Sequence, residues 1–443
     1  MDVGFGLAAG ALAAGSPTGS ESLKNGTPVI GYRAAVATRA LFVGSVLTLC
    51  ACASLISRPH APPVVLEGVA RADSIVAANV GTAFPGAVFL VARNGRVLLE
   101  KAYGVKQLND FDGRPLPRTT PMRTTTMFDL ASVTKVMATT NAIMLLVDRG
   151  LVDIDAPLYR YLPDFRGPHL DSITPRLLLS HASGLVQWQP LYYQAFTPDE
   201  TYDAIRRMPL GWGVGSGRHY SDLGFMLLGR VVEKVSGRRL DTFVQDELFG
   251  ALGLTRTVFR PKRHGFTDFA ATESGNVYER HMVFDSTFGY RYRGDPLAWD
   301  GWRDHVLSGE VDDGNAWYAN GGIAGHAGLF STAADVRVLL DLLLARGTYA
   351  GRRYIRADVI DRFFTHDPYG NYLGWMLPAG LPAGSFAHTG FTGTWVLGVP
   401  SCGLSVVLLT NKQNMGPNAR GMFPDLAPMQ LAIGRALTSS CAG

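Results

Sequence analysis

The chain is poor in charge for its length: only 18% of its 443 residues are Asp, Glu, Lys or Arg, against 47% hydrophobic. The net charge of +4 is scattered without a basic block, and no segment interleaves aromatic with basic side chains, so the footprint of a nucleic-acid binder is missing. Cysteine is scarce too. Of the four, Cys50 and Cys52 lie beside an apolar N-terminal stretch and Cys402 and Cys441 lie near the other end. No disulfide framework organises the fold, although a Cys402–Cys441 bridge stays open. No two of the ten histidines lie within five residues of each other, so local metal-ligand spacing is absent and neither a metal nor another cofactor is expected. No serine occupies a Gly-x-Ser-x-Gly elbow, which excludes an α/β-hydrolase.

What is present at the N-terminus has the shape of an export signal: Arg33 and Arg39, an apolar run from Ala40 to Leu49, then small residues. The run is shorter than the roughly 20 residues of a spanning helix, which weakens the reading as a membrane anchor. Leu49-Cys50-Ala51-Cys52 resembles a degenerate lipobox that would lipidate Cys52, while Ala51-Cys52-Ala53 fits simple signal cleavage. Residues 1–32, rich in Gly, Ala and Ser, are expected to be disordered or outside the true coding start, and to carry no chemistry. The expected organisation is a signal over residues 33–53, a linker and first helix over 54–80, and one large domain over 81–437. The expected location is periplasm or cell envelope, with a lipid on Cys52 as the one expected route to membrane contact, and the oligomeric state is not set.

Apolar runs on either side of Arg93-Asn94-Gly95-Arg96 predict a β-hairpin. From Ser132 to Gly150 the apolar residues recur at helical spacing with a glycine stop, predicting a buried helix that starts near Ser132. Between Asp153 and Gly321 short helical patterns alternate with Gly- and Pro-rich loops. Near the C-terminus two β-rich runs, from Trp395 and from Leu404, flank Pro400-Ser-Cys-Gly403 as a second hairpin, so one sheet draws strands from both chain ends.

Lysine is rare, with seven in the chain, and only Lys135 has a serine three residues before it, Ser132. On a helix these two positions share a face, so the amine can approach the hydroxyl. A lysine desolvated in a cleft has a lowered pKa and can take the serine proton. A serine in the first helical turn also offers its own N–H to a developing oxyanion. Ser-x-x-Lys alone usually marks a solvated helix face. Two further motifs raise its weight. Tyr220-Ser221-Asp222 follows a glycine-rich loop and opens an apolar helical run, where the phenol can shuttle a proton and Ser221 or Asp222 can cap the helix. His388-Thr389-Gly390 begins a β-like segment; its edge can pair with a peptide-like substrate, its glycine leaves room for one, and the N–H of Phe391 can supply a second oxyanion donor.

The order Ser-x-x-Lys, Tyr-Ser-Asp, His-Thr-Gly, with Tyr220 88 positions after Ser132 and His388 168 after Tyr220, resembles the class C β-lactamase-like, penicillin-binding serine hydrolases. Leu177–Leu185 and Gly322–Asp335 extend the resemblance, which covers roughly Val80 to Ala436. It implies an α/β (α+β) fold with an antiparallel sheet flanked by helices, an all-helical lobe, and an active site between them. It implies Ser132, Lys135 and Tyr220 as catalytic residues, the N–H groups of Ser132 and Phe391 as oxyanion hole, and Asp222, His388, Thr389 and Gly390 as substrate-binding residues. Departures lie at His388, where β-lactamases usually carry lysine, and at Asp222, where class C enzymes usually carry asparagine. A histidine is a poorer anchor for a substrate carboxylate. The His388-Thr-Gly-Phe-Thr-Gly393 version most resembles the branch with D-alanyl-D-alanine carboxypeptidases and serine esterases, which implies D-alanyl-D-alanine-type peptides, with peptidoglycan as their source, or small esters as substrates. The alternatives are a β-lactamase and a catalytically idle penicillin- or peptidoglycan-binding envelope protein. His181 and His326 are expected to organise loops near the cleft, His181 as a buried, hydrogen-bonded residue. Trp188, Trp212, Trp299 and Trp302 are expected in core or rim.

Overall fold

A computed structural model describes residues 63–439 and Cys441. The expectations for residues 1–53, lipidation of Cys52 included, and for the linker through residue 62 lie outside the described residues. Helix α1 (Pro63–Ala78) opens on a proline, whose fixed φ suits a first turn, and turns Val69, Ala72 and Val76 onto a sheet. Strands β1 (Gly86–Arg93) and β2 (Arg96–Gly104) form the expected hairpin. Its turn residues Asn94 and Gly95 have φ of 51° and 75°, and a tight turn that follows the strand twist needs both positive.

The helix expected from Ser132 is there but irregular. It enters as a 3₁₀ turn (Ala131–Val133), widens into a π turn (Lys135–Thr140), and becomes regular only in α2 (Asn141–Asp148). Asn141 Nδ2 donates to Val136 O at 3.0 Å and Met137 O at 3.1 Å, so a side chain is inserted into the backbone ladder where the helix widens. Helix α3 (Asp222–Ser236) is capped by Ser221, whose Oγ accepts from Gly224 N, and stops at Gly237 with φ 69°. Helix α4 (Ala333–Leu344) precedes β3 (Phe386–Thr389), β4 (Trp395–Val399), β5 (Leu404–Thr410) and α5 (Ala427–Thr438).

The five strands are antiparallel in the order β3-β4-β5-β1-β2, joining both chain ends as the sequence indicates. Phe89, Val91, Leu397, Val406 and Leu408 pack with α1 and α5, while Val88, Leu90, Val396, Val407 and Leu409 face the interior formed by α2, α3 and α4. Covering on both faces explains why these strands read as unbroken apolar runs. The second lobe is not purely helical: Ala271–Ser274 pairs with Val306–Ser308, strands too short to show a period of two. Cys402 and Cys441 are disulfide-bonded, Cα atoms 5.5 Å apart, tying the C-terminal end to the β4–β5 turn. Among the described residues no helix is long and apolar enough to cross a membrane.

Candidate active site

The short strand Phe128–Asp129 delivers the chain to Ser132 through Leu130 and Ala131. Ala131 has φ 47°, a left-handed conformation that a residue with a Cβ adopts at a cost, so its surroundings must hold it. Asp129 does so. Its Oδ1 accepts from Ala131 N at 2.9 Å and its Oδ2 from Asp312 N at 2.7 Å. Burial, and then the charge of Asp312, push this carboxyl up to about 7.

Lys135 is wholly buried. Its Nζ donates to Ser132 Oγ at 2.8 Å and to His326 O at 3.2 Å, and forms an ion pair with Asp222 Oδ1 at 2.7 Å. The same ammonium lies 5.0 Å from the centre of the Tyr220 ring. The His181 ring supports Tyr220 at 4.4 Å, and His181 Nδ1 accepts from Ser221 N at 3.1 Å. Four residues distant in sequence thus meet because the start of the helix holding Ser132 and Lys135 faces the N-terminus of α3.

The expectation that desolvation lowers the Lys135 pKa is overturned. Burial does press it down, but the Asp222 carboxylate and the Tyr220 hydroxyl outweigh burial and hold it above the ordinary lysine value. Tyr220 is likewise raised, first by burial and then by Asp222, against the downward pull of Lys135. At neutral pH the resting site therefore carries a charged lysine and a neutral phenol. Aspartate in place of asparagine is the physical reason for the first.

His388 is 1% exposed, and its Nδ1 donates to Thr389 O at 2.8 Å, which fixes the tautomer. Burial, then the charge of Lys135, hold it neutral, down to about 3, so it is no anchor for a carboxylate. β3 is an edge strand, but Ala387 already exchanges both main-chain bonds with Met376 (2.9 and 3.0 Å), so the edge left for a substrate begins at the exposed Thr389. Gly390 serves the chain's own packing: a Cβ there would overlap Thr394 Oγ1 and Leu130 O. Thr392 Oγ1 donates to Asp129 O at 2.8 Å and Thr394 Oγ1 to Leu130 O at 2.9 Å, stitching the Phe391 turn to the approach to Ser132.

Ser132, Tyr220, Asp222 and Phe391 open onto one cavity of about 210 Å³. Its walls include Trp188, Tyr278 and Tyr290 and three acids the sequence did not single out, Glu279, Asp312 and Asp313. Glu279 is held above the carboxylate range by burial and the charge of Asp313, and accepts from Tyr192 Oη at 2.9 Å. Asp312 is pushed up to about 6, chiefly by burial. Asp313 goes the other way, because its contact with His326 Nε2 at 2.9 Å outweighs burial. His326 thus organises the loop through its ring and its carbonyl, as expected. Of the other tryptophans, Trp212 stacks on His219, and Trp299 and Trp302 join an aromatic cluster around Tyr192. Among the described residues no group of acids, histidines and cysteines is arranged to hold a metal ion.

A family model described as Beta-lactamase matches residues 72–427. The chain belongs to the beta-lactamase family. Relatives by sequence divide by name. The chain is 33% identical over 377 residues to the N-acetylmuramyl-L-alanine amidase of Bacillus subtilis (strain 168), covering 78% of this chain and 81% of the relative. It is 32% identical over 387 residues to an Escherichia coli (strain K12) protein named as an inferred D-alanyl-D-alanine carboxypeptidase, covering 80% and 85%. The fold is that of the penicillin-binding homologues. A Caulobacter crescentus member superposes with TM-score 0.61 at 21% identity, over 86% of this chain and 99% of that one. A family VIII carboxylesterase superposes with TM-score 0.62 at 19% identity, over 87% and 99%. This beta-lactamase-family chain is thus of the serine hydrolase type.

Proposed function

We propose that this protein is an exported hydrolase that cleaves an amide or ester bond of cell-wall-derived peptides through an acyl-enzyme on Ser132. The observation that carries the reading is the Lys135 ammonium, bonded to Ser132 Oγ and Asp222 and lying against the Tyr220 ring. Because Lys135 holds its proton, Tyr220 is the acceptor. The reactive form is the one in which Tyr220 has lost its proton to solvent and Lys135 stabilises the phenolate; as Ser132 Oγ bonds to the substrate carbonyl carbon, its proton passes to that phenolate oxygen. The oxyanion settles between the N–H groups of Ser132 and Phe391. Tyr220 returns the proton to the leaving nitrogen or oxygen as that bond breaks. Water then gives Tyr220 a proton and attacks the ester, and Ser132 Oγ leaves with the proton restored. Thr389 offers main-chain pairing to the substrate.

The cavity favours one bond over another within this class. Its lining carries Asp222, Glu279, Asp312 and Asp313 and no lysine or arginine, His388 is neutral, and the Lys135 ammonium behind the wall is already paired with Asp222, so the lining itself presents no cation to a terminal carboxylate. An amide bond flanked by uncharged groups, such as the one named in the Bacillus subtilis relative, suits this lining better than a terminal D-alanyl-D-alanine. A β-lactam, which also carries a carboxylate, suits it no better. The test is kcat/KM for a muramyl-L-alanine amide, a D-alanyl-D-alanine peptide, a short-chain ester and nitrocefin side by side. The reading expects the first to exceed the second; turnover of none of them, with intact stoichiometric binding, would make the protein a binder rather than an enzyme.

A further inference from the structure

Asp129 sits outside the set of reacting residues, yet the contacts that shape the oxyanion hole converge on it. Its Oδ1 holds the N–H of Ala131, the left-handed residue immediately before Ser132. Its main-chain oxygen accepts from Thr392 Oγ1 at 2.8 Å, immediately after Phe391. Its Oδ2 accepts from Asp312 N at 2.7 Å in the cavity wall. The neighbouring Leu130 repeats the pattern, its N–H donating to Leu329 O at 2.9 Å and its carbonyl accepting from Thr394 Oγ1 at 2.9 Å. One buried residue therefore ties three segments, and two of them carry the N–H groups assigned above to the oxyanion.

We propose that Asp129 is a positioning residue that keeps the Ser132 and Phe391 N–H groups in register for the tetrahedral intermediate. This rests on the acyl-enzyme reading of the site. A donor pair stabilises an oxyanion only when both N–H groups converge on the position that the oxyanion, not the ground-state carbonyl, will occupy. The left-handed turn at Ala131 has no glycine to make it free of strain, and the Asp129 side chain is what answers its N–H. Asparagine at this position keeps size and burial but has one oxygen for two N–H groups and sets an NH₂ against the other. The Phe391 turn is attached through Thr392, so the register is lost from either side.

The experiment uses the full-length protein and an arylboronic acid, which bonds to the serine oxygen and places a boron-bound oxygen where the oxyanion would form. With a fluorogenic ester as reporter, D129N is expected to weaken boronate inhibition and lower kcat by about 10- to 100-fold while KM stays within about threefold, because only the tetrahedral state uses the register. T392V is expected to move the same two quantities in the same direction and T392S to restore them, which keeps the test decisive if D129N does not fold. D341N removes another buried carboxylate, bonded to Ser405 and Arg337 away from the cavity, and is expected to change neither quantity. Wild type that acylates, with D129N and T392V matching it in kcat and boronate affinity, overturns the positioning role and leaves the acyl-enzyme reading standing. A wild type that neither turns over ester nor binds boronate through Ser132 overturns both.

Discussion

Asp222 Oδ1 stands 2.7 Å from Lys135 Nζ, the same ammonium that donates to Ser132 Oγ at 2.8 Å. An asparagine at 222 would accept from this lysine without charging it. The aspartate raises both groups able to take the serine proton, Lys135 and Tyr220. Activity is therefore expected to climb with pH through neutrality into the alkaline range. In Asp222→Asn both groups fall, and the ascending limb of the kcat/KM profile is expected to move to lower pH. A limb that stays in place or moves to higher pH contradicts this electrostatic assignment.

Gly390 is tested by its smallest replacement. A methyl group there meets Thr394 Oγ1 and the Leu130 carbonyl, both part of the seam between the Phe391 turn and the approach to Ser132. Gly390→Ala is expected to cost about 1–3 kcal/mol in denaturant unfolding and to slow acylation of Ser132. Unchanged stability and acylation would mean that the seam yields freely and does not set the site.

The buried acids give stability a definite pH dependence. Asp129 and Asp312, pushed up to about 7 and 6, and Glu279, also raised, bind more protons in the folded chain than in the unfolded chain above the ordinary carboxylate range. Their contribution is fully present at acid pH and is lost as pH rises through these values. His388 runs opposite, held down to about 3, but adds no further slope once pH exceeds the ordinary histidine value. Between pH 6.5 and 8 the acids decide the sign. Scanning calorimetry is expected to show Tm falling over that interval, with a shallower fall in Glu279→Gln; a Tm that rises is the contrary result.

Much of this was legible in the sequence. Ser132, Lys135 and Tyr220 were placed by short motifs whose order and separation are informative. The two hairpins showed because Asn94-Gly95 and Pro400–Gly403 interrupt β-rich runs. The protonation state was not legible, since the effect of Asp222 on Lys135 depends on a distance between helices that no spacing encodes. The reason for Gly390 was also hidden: space for a ligand and space for Leu130 O look alike in a sequence. Asp129 had a local signal, an aspartate two residues before an N–H it can cap, as in an Asx turn. Its reach to Asp312 and Thr392 is tertiary. The acids of the cavity wall come from loops with no periodicity and emerge only once the lobes close on Ser132.

Intact-protein mass spectrometry after incubation with a fluorophosphonate and with penicillin tests the central claim most directly. One adduct per chain is expected, mapped by peptide digestion to Ser132, and none on Ser132→Ala. Equal labelling of the variant, or an adduct on another residue of the wild type, would contradict it.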